Sequence, residues 1–189
     1  IFKLYNPFLI KNDFQAKTSS KKYVAWIGIF QKQKNLQALL KIVISLPLIN
    51  FKIAGGEKES KVLDNETIDA LSKLSKLDNV NFVGFLDRKK IFSFLSNSYC
   101  LLNTSHEEGF SNTYLEAFSK GIPVVTRKKT DPDNIIFKYK LGLAVAYYEE
   151  LPNALLHIIE EKNNYKIYLK KYLDKYHNPK VLANNMLNQ

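Results

Sequence analysis

Residues 99–125 read YCLLNTSHEEGFSNTYLEAFSKGIPVV and carry the clearest fold information in the chain. An apolar run at 99–102 leads into a polar loop, then an amphipathic segment, then a second apolar run that begins at Pro123. Gly121 follows the amphipathic segment, and glycine commonly ends a helix. This order predicts two buried parallel strands joined by a crossover helix.

The same alternation extends along most of the chain. Predicted strands cover residues 23–28, 51–54, 80–84, 99–102 and 123–125, with a candidate sixth at 143–145, and predicted helices cover 36–44, 61–76, 88–97 and 111–120. The pattern predicts an α/β fold, a Rossmann-like parallel sheet flanked by helices on both faces. In such sheets ligands bind beyond the carboxyl ends of the strands.

Composition narrows the classes of protein. The 189 residues are 46% hydrophobic, enough to bury one sizeable core, and no apolar run approaches the length of a membrane span. The single cysteine, Cys100, lies in an apolar run, which predicts a buried, inert thiol and a reducing cytosol.

The formal net charge of +10 comes from 28 basic residues, of which only Arg88 and Arg127 are arginines. A positive field attracts phosphates and anionic membranes. Nucleic-acid readers favour arginine, so this composition argues against a nucleic-acid partner. The scarcity of arginine beside abundant lysine, asparagine and isoleucine indicates a sequence from an AT-rich genome. General solvated charge is the first interpretation of the net charge, and attraction to an anionic substrate or membrane is the alternative.

The loop at 105–116 is the densest in chemistry. It enters a helix, and a helix N-terminus presents free N–H groups that suit a phosphate. Ser111 and Thr113 are candidates for the N-cap. Glu116 is placed to accept hydrogen bonds from a vicinal diol such as a ribose, and Glu108 to meet a sugar hydroxyl. Two carboxylates beside one phosphate-binding position suit a nucleotide sugar, because it has hydroxyls on both sides of its diphosphate.

Local chemistry leaves a second interpretation open. Thr113 and Glu116 also match a capping box, in which Glu116 only bonds the N-cap amide. Glu107 and Glu108 would then be solvated loop charges.

Residues 107–125, EEGFSNTYLEAFSKGIPVV, resemble the signature of glycosyltransferase family 4, the glycosyl transferases group 1 domain, with seven residues between Glu108 and Glu116. The resemblance continues in WIGIFQKQKN at 26–35, FKIAGG at 51–56, VNFVGFLDRKKIFSFLSNS at 80–98 and LGLAV at 141–145, and LYNPF at 4–8 resembles the family's interdomain hinge. It implies the C-terminal, donor-binding half of a GT-B enzyme. Residues 1–22 would be hinge and linker from an N-terminal acceptor domain, 23–148 the nucleotide-sugar-binding domain, and 149–189 helices packed on it.

The resemblance also implies roles for individual residues. Glu108 would contact the donor sugar, Lys34 would neutralise the diphosphate as it leaves, and Glu116 would hold the ribose hydroxyls. The implied catalytic residues are Glu108 and Lys34, and the implied donor-binding residues are Gly28, Lys32, Gly84, Phe85, Leu86, Gly109, Phe110, Ser111, Asn112, Thr113 and Glu116.

One position departs from the family pattern. Ile29 stands where the family usually has an arginine after the loop glycine, so half of the usual diphosphate clamp is absent. Lys32 is a candidate replacement.

Other polar motifs are not assigned a direct role in the site. Asp131-Pro132-Asp133 resembles a metal motif of another glycosyltransferase class, but its proline favours a plain turn. His106 is at most an indirect neighbour of the site. No metal and no cofactor are expected, because the GT-B class does not require one.

The expected activity is retaining, metal-independent transfer of a hexose-type sugar from a UDP-, GDP- or ADP-sugar to an acceptor hydroxyl, in glycan, polysaccharide or glycolipid synthesis. The expected partners are the nucleotide sugar donor and a glycan or lipid-linked acceptor. The expected location is cytoplasmic, with peripheral contact to anionic membrane. Two alternatives are a GT-B nucleotide-sugar epimerase and a degenerate nucleotide-binding module without activity, which Ile29 favours.

Overall fold

A computed structural model describes residues 6–8, 22–57, 62–161 and 165–187. Its strands are β1 Tyr23–Ile29, β2 Phe51–Gly56, β3 Val80–Gly84, β4 Ser98–Leu102, β5 Val124–Arg127 and β6 Gly142–Val145. Its α-helices are α1 Leu36–Ser45, α2 Asn65–Leu74, α3 Arg88–Ser96, α4 Asn112–Ser119, α5 Ile135–Lys138, α6 Leu151–Glu160, α7 Tyr165–Tyr176 and α8 Pro179–Leu187.

The six strands form one parallel sheet in the order β3-β2-β1-β4-β5-β6. The chain therefore builds outward from β1 to one edge, returns to the centre, and builds outward again from β4. In sheets of this class a crevice lies at such a reversal, here beyond the carboxyl ends of β1 and β4, and ligands bind there. The predicted Rossmann-like fold is confirmed.

Apolar residues on both faces of the strands explain why helices cover both sides of the sheet. In β1, Val24 and Trp26 face the core under α1, α2 and α6, whereas Ala25 faces the core under α3, α4, α5 and α7. All three side chains are at most 1% exposed. A strand buried on both faces is continuously apolar, which is the pattern that predicted it.

One glycine allows β1 and β2 to end side by side at the crevice. Gly55 has φ +131°, and a Cβ there would lie 1.8 Å from the carbonyl oxygen of Gly28. Any larger residue would force the two strand ends apart.

One helix is shorter than its sequence predicts, and another is followed by the glycine expected at its end. Helix α2 starts where Asp64 accepts a hydrogen bond from the Thr67 amide at 3.0 Å, so it covers less than the predicted 61–76, and Lys61 lies outside the described residues. Helix α4 ends at Ser119 and is followed by Gly121 at φ +71°, the left-handed residue expected there.

The C-terminal helices pack on the sheet domain. Helix α6 lies against β4, β5 and β6, and α7 lies against α4. Of the segment predicted as hinge and linker, residues 6–8 and 22 fall within the described part of the chain. No helix in the described ranges is both long and apolar enough to cross a bilayer. Cys100 is fully buried as predicted, and burial raises the pKa of its thiol.

Candidate functional site

The loops that follow β1 and β4 are bound to each other at the reversal of the sheet. The backbone amide of His106 donates to the Gln33 carbonyl at 2.8 Å, and Gln33 Nε2 donates to the Glu107 carbonyl at 3.0 Å. Two segments that are about seventy residues apart in the chain, 31–35 and 103–109, therefore form one surface.

A buried threonine joins the same two loops from below. Trp26 Nε1 donates to Thr104 Oγ1 at 3.0 Å, and the Thr104 hydroxyl donates to the Lys34 carbonyl at 2.8 Å. Thr104 and Trp26 are buried at 0% and 1% exposure. A hydrogen bond from a buried residue thus fixes the position of the Lys34 backbone.

Lys34 and Glu108 meet across the crevice. Lys34 Nζ lies 2.8 Å from Glu108 Oε2, and Ser105 Oγ donates to the same oxygen at 2.9 Å. The two side chains are only 18% and 15% exposed. The structure brings together the two residues predicted to be catalytic, and they form a partly buried ion pair.

The neighbouring glutamate behaves differently. Glu107 pairs with Lys129 at 2.7 Å, and these side chains are 72% and 60% exposed. Adjacent carboxylates in one loop therefore have different environments. Glu107 is a solvated loop charge, and Glu108 faces the crevice.

Helix α4 begins at the crevice without a side-chain cap. Ser111 occupies the N-cap position, but its hydroxyl makes no capping bond and instead lies 2.6 Å from Thr113 Oγ1. Thr113 lies inside the helix, so the alternative interpretation of Thr113 and Glu116 as a capping box is wrong. The first backbone N–H groups of a helix that lacks a side-chain cap remain available to a bound anion.

Glu116 lies one turn further along α4 and is half-buried. Its carboxylate accepts no hydrogen bond from any described residue. Burial raises the pKa of this carboxyl group, and the nearby positive charge of Arg88 opposes the shift. A partly buried carboxylate that receives no hydrogen bond is costly unless a ligand supplies donors.

The predicted nucleobase turn follows β3 at the same edge of the sheet. Gly84 has φ +69° and open space around it. The exposed Phe85 ring lies over Gly56, where an added Cβ would be 2.5 Å from the ring. Leu86 packs instead against the core beneath α3 and α4. The turn therefore presents the exposed Phe85 ring next to the open backbone of Gly84.

The remaining predicted donor-binding residues have less defined surroundings. Gly28 lies under the Lys34 chain, where a Cβ would be 3.3 Å from Lys34 Cδ, and Gly109 has open space beside it. Asn112 is exposed. Lys32 is exposed and lines a groove of about 350 Å³ with Asp64. In the described chain Lys32 makes no ion pair, and Ile29 is exposed at the end of β1.

Phe110 connects the site loop to the chain ends. Its ring centroid lies 5.3 Å from that of His177, which is fully buried. His177 Nδ1 lies 2.8 Å from the carbonyl oxygen of Asn6, and its own carbonyl accepts from the Phe8 amide at 2.8 Å. Residues 6–8, the described part of the segment that resembles the family hinge, are therefore bound beside the predicted donor site.

Sequence reasoning missed the residues that support the site loop from outside. Arg127 donates to the His106 carbonyl at 2.8 Å, and its guanidinium lies 4.0 Å from the Tyr148 ring centroid. The Tyr148 hydroxyl donates to the Thr104 and Ser105 carbonyls at 3.2 and 3.3 Å. The one sequence feature that could have pointed to Arg127 was the rarity of arginine in this chain.

Two other polar motifs take structural roles. Asp131 is buried and accepts the Ile136 amide at 2.9 Å, which anchors the start of α5, and burial raises its pKa. His106 is exposed beside Tyr148, with Nδ1 3.4 Å from the hydroxyl. Within the described ranges, no three His, Cys, Asp or Glu side chains cluster as metal ligands would, and metal independence stays a prediction.

Comparison with known families identifies the family of this chain. Residues 10–176, most of the chain, match the family model described as glycosyl transferases group 1. The chain belongs to this family. The segment that resembled it, 107–125, lies well inside the matched region.

Similar proteins include two synthases and a protein solved with UDP. The alpha-monoglucosyldiacylglycerol synthase of Acholeplasma laidlawii is 29% identical over 123 residues, which cover 65% of this chain and 30% of that protein. The sucrose-phosphate synthase of Thermosynechococcus elongatus superposes with a TM-score of 0.76 at 20% identity, over 97% of this chain and 48% of that one. A mutant of TarM from S. aureus, solved with UDP and alpha-GlcNAc-glycerol, gives 0.73 at 17% identity, over 99% and 38%. This chain thus spans less than half the length of each of these three proteins.

Proposed function

We propose that this chain is the donor-binding half of a retaining glycosyltransferase, which transfers a hexose-type sugar from a nucleoside diphosphate sugar to an acceptor hydroxyl. The observation that carries the proposal is the contact between Lys34 and Glu108 at the reversal of the sheet, beside the uncapped start of α4. Family membership supports glycosyl transfer as the reaction.

The diphosphate is assigned to Lys34 and to the first N–H groups of α4. Lys34 has one negative partner among the described residues, Glu108, and a diphosphate would replace that partner at the same ammonium. A fixed cation in a partly buried crevice stabilises the charge that develops on a leaving phosphate more than it would in water.

The nucleoside is assigned to Glu116 and to the turn after β3, away from Lys34. Glu116 has no hydrogen-bond donor among the described residues, and the two hydroxyls of a ribose would supply two. The turn at Gly84 and Phe85 offers backbone groups and an aromatic ring to a base. The geometry favours no particular base among uracil, guanine and adenine.

The proposed chemical step needs no protein nucleophile and no metal. The acceptor oxygen forms a bond to the anomeric carbon on the face from which the diphosphate departs. The bond between that carbon and the phosphate oxygen breaks, its electron pair stays on the diphosphate beside Lys34, and the acceptor proton passes to a phosphate oxygen. Glu108 would hold a sugar hydroxyl during this exchange.

A second domain would supply the acceptor. The proteins compared above are at least twice as long as this chain, which leaves room for such a domain. A glycan or a lipid-linked molecule is the proposed acceptor, on the cytoplasmic side of a membrane. The 189-residue chain alone is therefore expected to bind the nucleotide weakly and to transfer nothing.

Ile29 supports a second candidate, a nucleotide-binding module that has lost activity. Its side chain is exposed at the end of β1, where the family usually has arginine, so it supplies no charge to a diphosphate. Retention of the Lys34–Glu108 pair opposes this candidate, because a degenerate site has no reason to keep two partly buried charges together.

Calorimetric titration with UDP, GDP and ADP tests the proposal. We expect one of the three to bind, and Lys34→Ala to weaken that binding about tenfold or more, the usual cost of losing a charge-assisted hydrogen bond. Lys129→Ala is the matched control, since it removes the same charge from the exposed pair in the neighbouring loop. Absence of binding to all three nucleotides would leave the degenerate module.

A further inference from the structure

A basic surface lies on the other side of α4 from the sheet, where α5 and the turn after it meet α7. One groove of about 290 Å³ on this surface is lined by residues that include Lys138, Tyr139, Lys140, Lys171, Lys175 and Tyr176. A second groove continues from Lys171 and Lys175 to Ile167 and Lys170. We call the whole the α5–α7 surface. Among the residues that line the two grooves, five are lysines and one, Asp174, is an acid, which pairs with Lys170.

The ammonium groups of three of these lysines lie over aromatic rings, and none of the three forms an ion pair with a carboxylate among the described residues. Lys138 lies 5.5 Å from the Tyr139 ring, Lys140 lies 5.5 Å from Tyr168, and Lys175 lies 5.0 Å from Tyr176. A ring attracts a cation but does not cancel its charge. The positive charge of this surface therefore stays available to an anionic partner.

Two large apolar side chains project from the same elements into solvent. Phe137 is 79% exposed on α5, and Ile167 is 62% exposed on α7. Each is followed directly in sequence by a basic or aromatic residue of the grooves, Lys138 after Phe137 and Tyr168 after Ile167. Exposed apolar groups rimmed by polar ones mark an interaction surface.

We propose that the α5–α7 surface binds the anionic face of a lipid bilayer. Lysines attract acidic headgroups, tyrosine is suited to the boundary between water and hydrocarbon, and Phe137 and Ile167 would enter the acyl region. A nucleic acid fits less well, because the groove-lining residues include no arginine and because Phe137 and Ile167, on the same helices, are exposed apolar side chains.

The surface adjoins the site loop. Helix α7 ends at Tyr176, and the ring of the next residue, His177, lies 5.3 Å from Phe110. Docking through α7 would therefore hold the loop that contains Glu108 near the membrane. Membrane binding by this surface would follow from its charge and its exposed apolar side chains and does not require donor binding.

Vesicle sedimentation with the 189-residue chain tests the proposal. We expect binding to an equal mixture of phosphatidylcholine and phosphatidylglycerol, and none to phosphatidylcholine alone. Each lysine near an anionic surface strengthens partition by about fivefold, so Lys138→Gln, Lys171→Gln and Lys175→Gln together should weaken it roughly a hundredfold. Phe137→Ser with Ile167→Ser should weaken it while leaving the net charge unchanged.

A control of equal charge comes from the opposite face of the sheet. Lys41→Gln, Lys73→Gln and Lys76→Gln remove three exposed lysines from α1 and from α2 and its C-terminal end, and this variant should bind like the parent chain. Equal loss in both triple variants would overturn the proposal, because it would show that net charge alone acts. So would binding to phosphatidylcholine alone, no binding to either vesicle, or tighter binding to single-stranded RNA than to the mixed vesicles. Circular dichroism of each variant checks that it is folded, and nucleotide titration on the same samples keeps failure here separate from failure of the donor site.

Discussion

Lys34 Nζ and Glu108 Oε2 lie 2.8 Å apart, and this contact joins two loops that are 74 positions apart in the chain. The pair neutralises the crevice while no donor is bound. A diphosphate that enters must compete with Glu108 for the ammonium, and release of Glu108 would free its carboxylate for a sugar hydroxyl. Under the proposed function, the contact would therefore couple donor binding to the position of Glu108.

This coupling predicts an unusual result for Glu108→Gln. Loss of the competing charge should strengthen the binding of the nucleoside diphosphate by about fivefold, close to the roughly 1 kcal/mol of a favourable ion pair. Isothermal titration calorimetry checks it. Glu107→Gln, which removes the exposed carboxylate next to it, should leave the affinity unchanged. Weaker binding by Glu108→Gln would show that the two charges do not compete.

Thr104 predicts a stability effect that is transmitted to the site. Thr104→Val keeps the shape but leaves Trp26 Nε1 without an acceptor and the Lys34 carbonyl without this donor. We expect the free energy of unfolding to fall by about 2 kcal/mol, or Tm by roughly 4–8 °C for a domain of this size. Thr104→Ser keeps the hydroxyl and should recover most of the loss. Equal losses in both variants would assign the effect to packing.

Glu116 predicts a conflict between stability and binding. Because burial raises the pKa of this carboxyl group, the folded chain binds a proton more readily than the unfolded chain. The contribution of the Glu116 carboxyl group to the free energy of unfolding is therefore fully present at acidic pH and is lost as pH rises through the raised pKa. We expect Glu116→Gln to raise Tm at pH 7 by at most a few degrees, a difference that disappears near the pKa of a free carboxyl, about 4.3.

The same Glu116→Gln variant should bind the nucleotide more weakly, because an amide replaces the carboxylate that is proposed to accept two ribose hydroxyls. Differential scanning fluorimetry and calorimetry on one sample check both effects. Glu57→Gln, at an exposed carboxylate after β2, should change neither. A lower Tm for Glu116→Gln at pH 7 would show instead that attraction to Arg88 outweighs the cost of burial.

His177 predicts the pH dependence of the contact between the site loop and the hinge-like segment. Burial lowers the pKa of His177, and its contact with the Asn6 carbonyl opposes that shift. The unfolded imidazole therefore binds protons more readily, and the free energy of unfolding should fall as pH drops below about 6.5.

Urea denaturation at several pH values measures this slope. His177→Phe keeps a ring against Phe110 but cannot titrate, so it should flatten the slope between about pH 7 and 5.5. His157→Gln, at an exposed histidine of α6, should keep the slope of the parent chain. An unchanged slope in His177→Phe would place the titration elsewhere.

Periodicity in the sequence was sufficient to predict the strands, most helices and the fold class. Runs such as 51–54 and 99–102 are largely apolar, because their strands are buried on both faces, and that property is local. The glycines at 28, 55 and 84 mark strand ends for the same local reason. Lys34, Glu108 and Glu116 could be selected individually, by resemblance to a family.

What the sequence left open depended on contacts between distant residues. Glu107 and Glu108 are chemically identical neighbours, and only the loop after β1 decides that Glu108 meets Lys34 while Glu107 stays in water. The capping-box alternative for Glu116 was removed by the observed start of α4 at Asn112.

The sequence by itself therefore determined the elements, the fold class and the chemistry present in the loop after β4. Tertiary structure decided which groups meet. The supports of that loop, Arg127 and Tyr148, lie beyond it in sequence, and His177 joins it to Asn6 across 171 positions. Periodicity records which face of an element is buried, but the order of the strands in the sheet sets which loops become neighbours. That order placed the turn after β1 against the loop after β4 and formed the site.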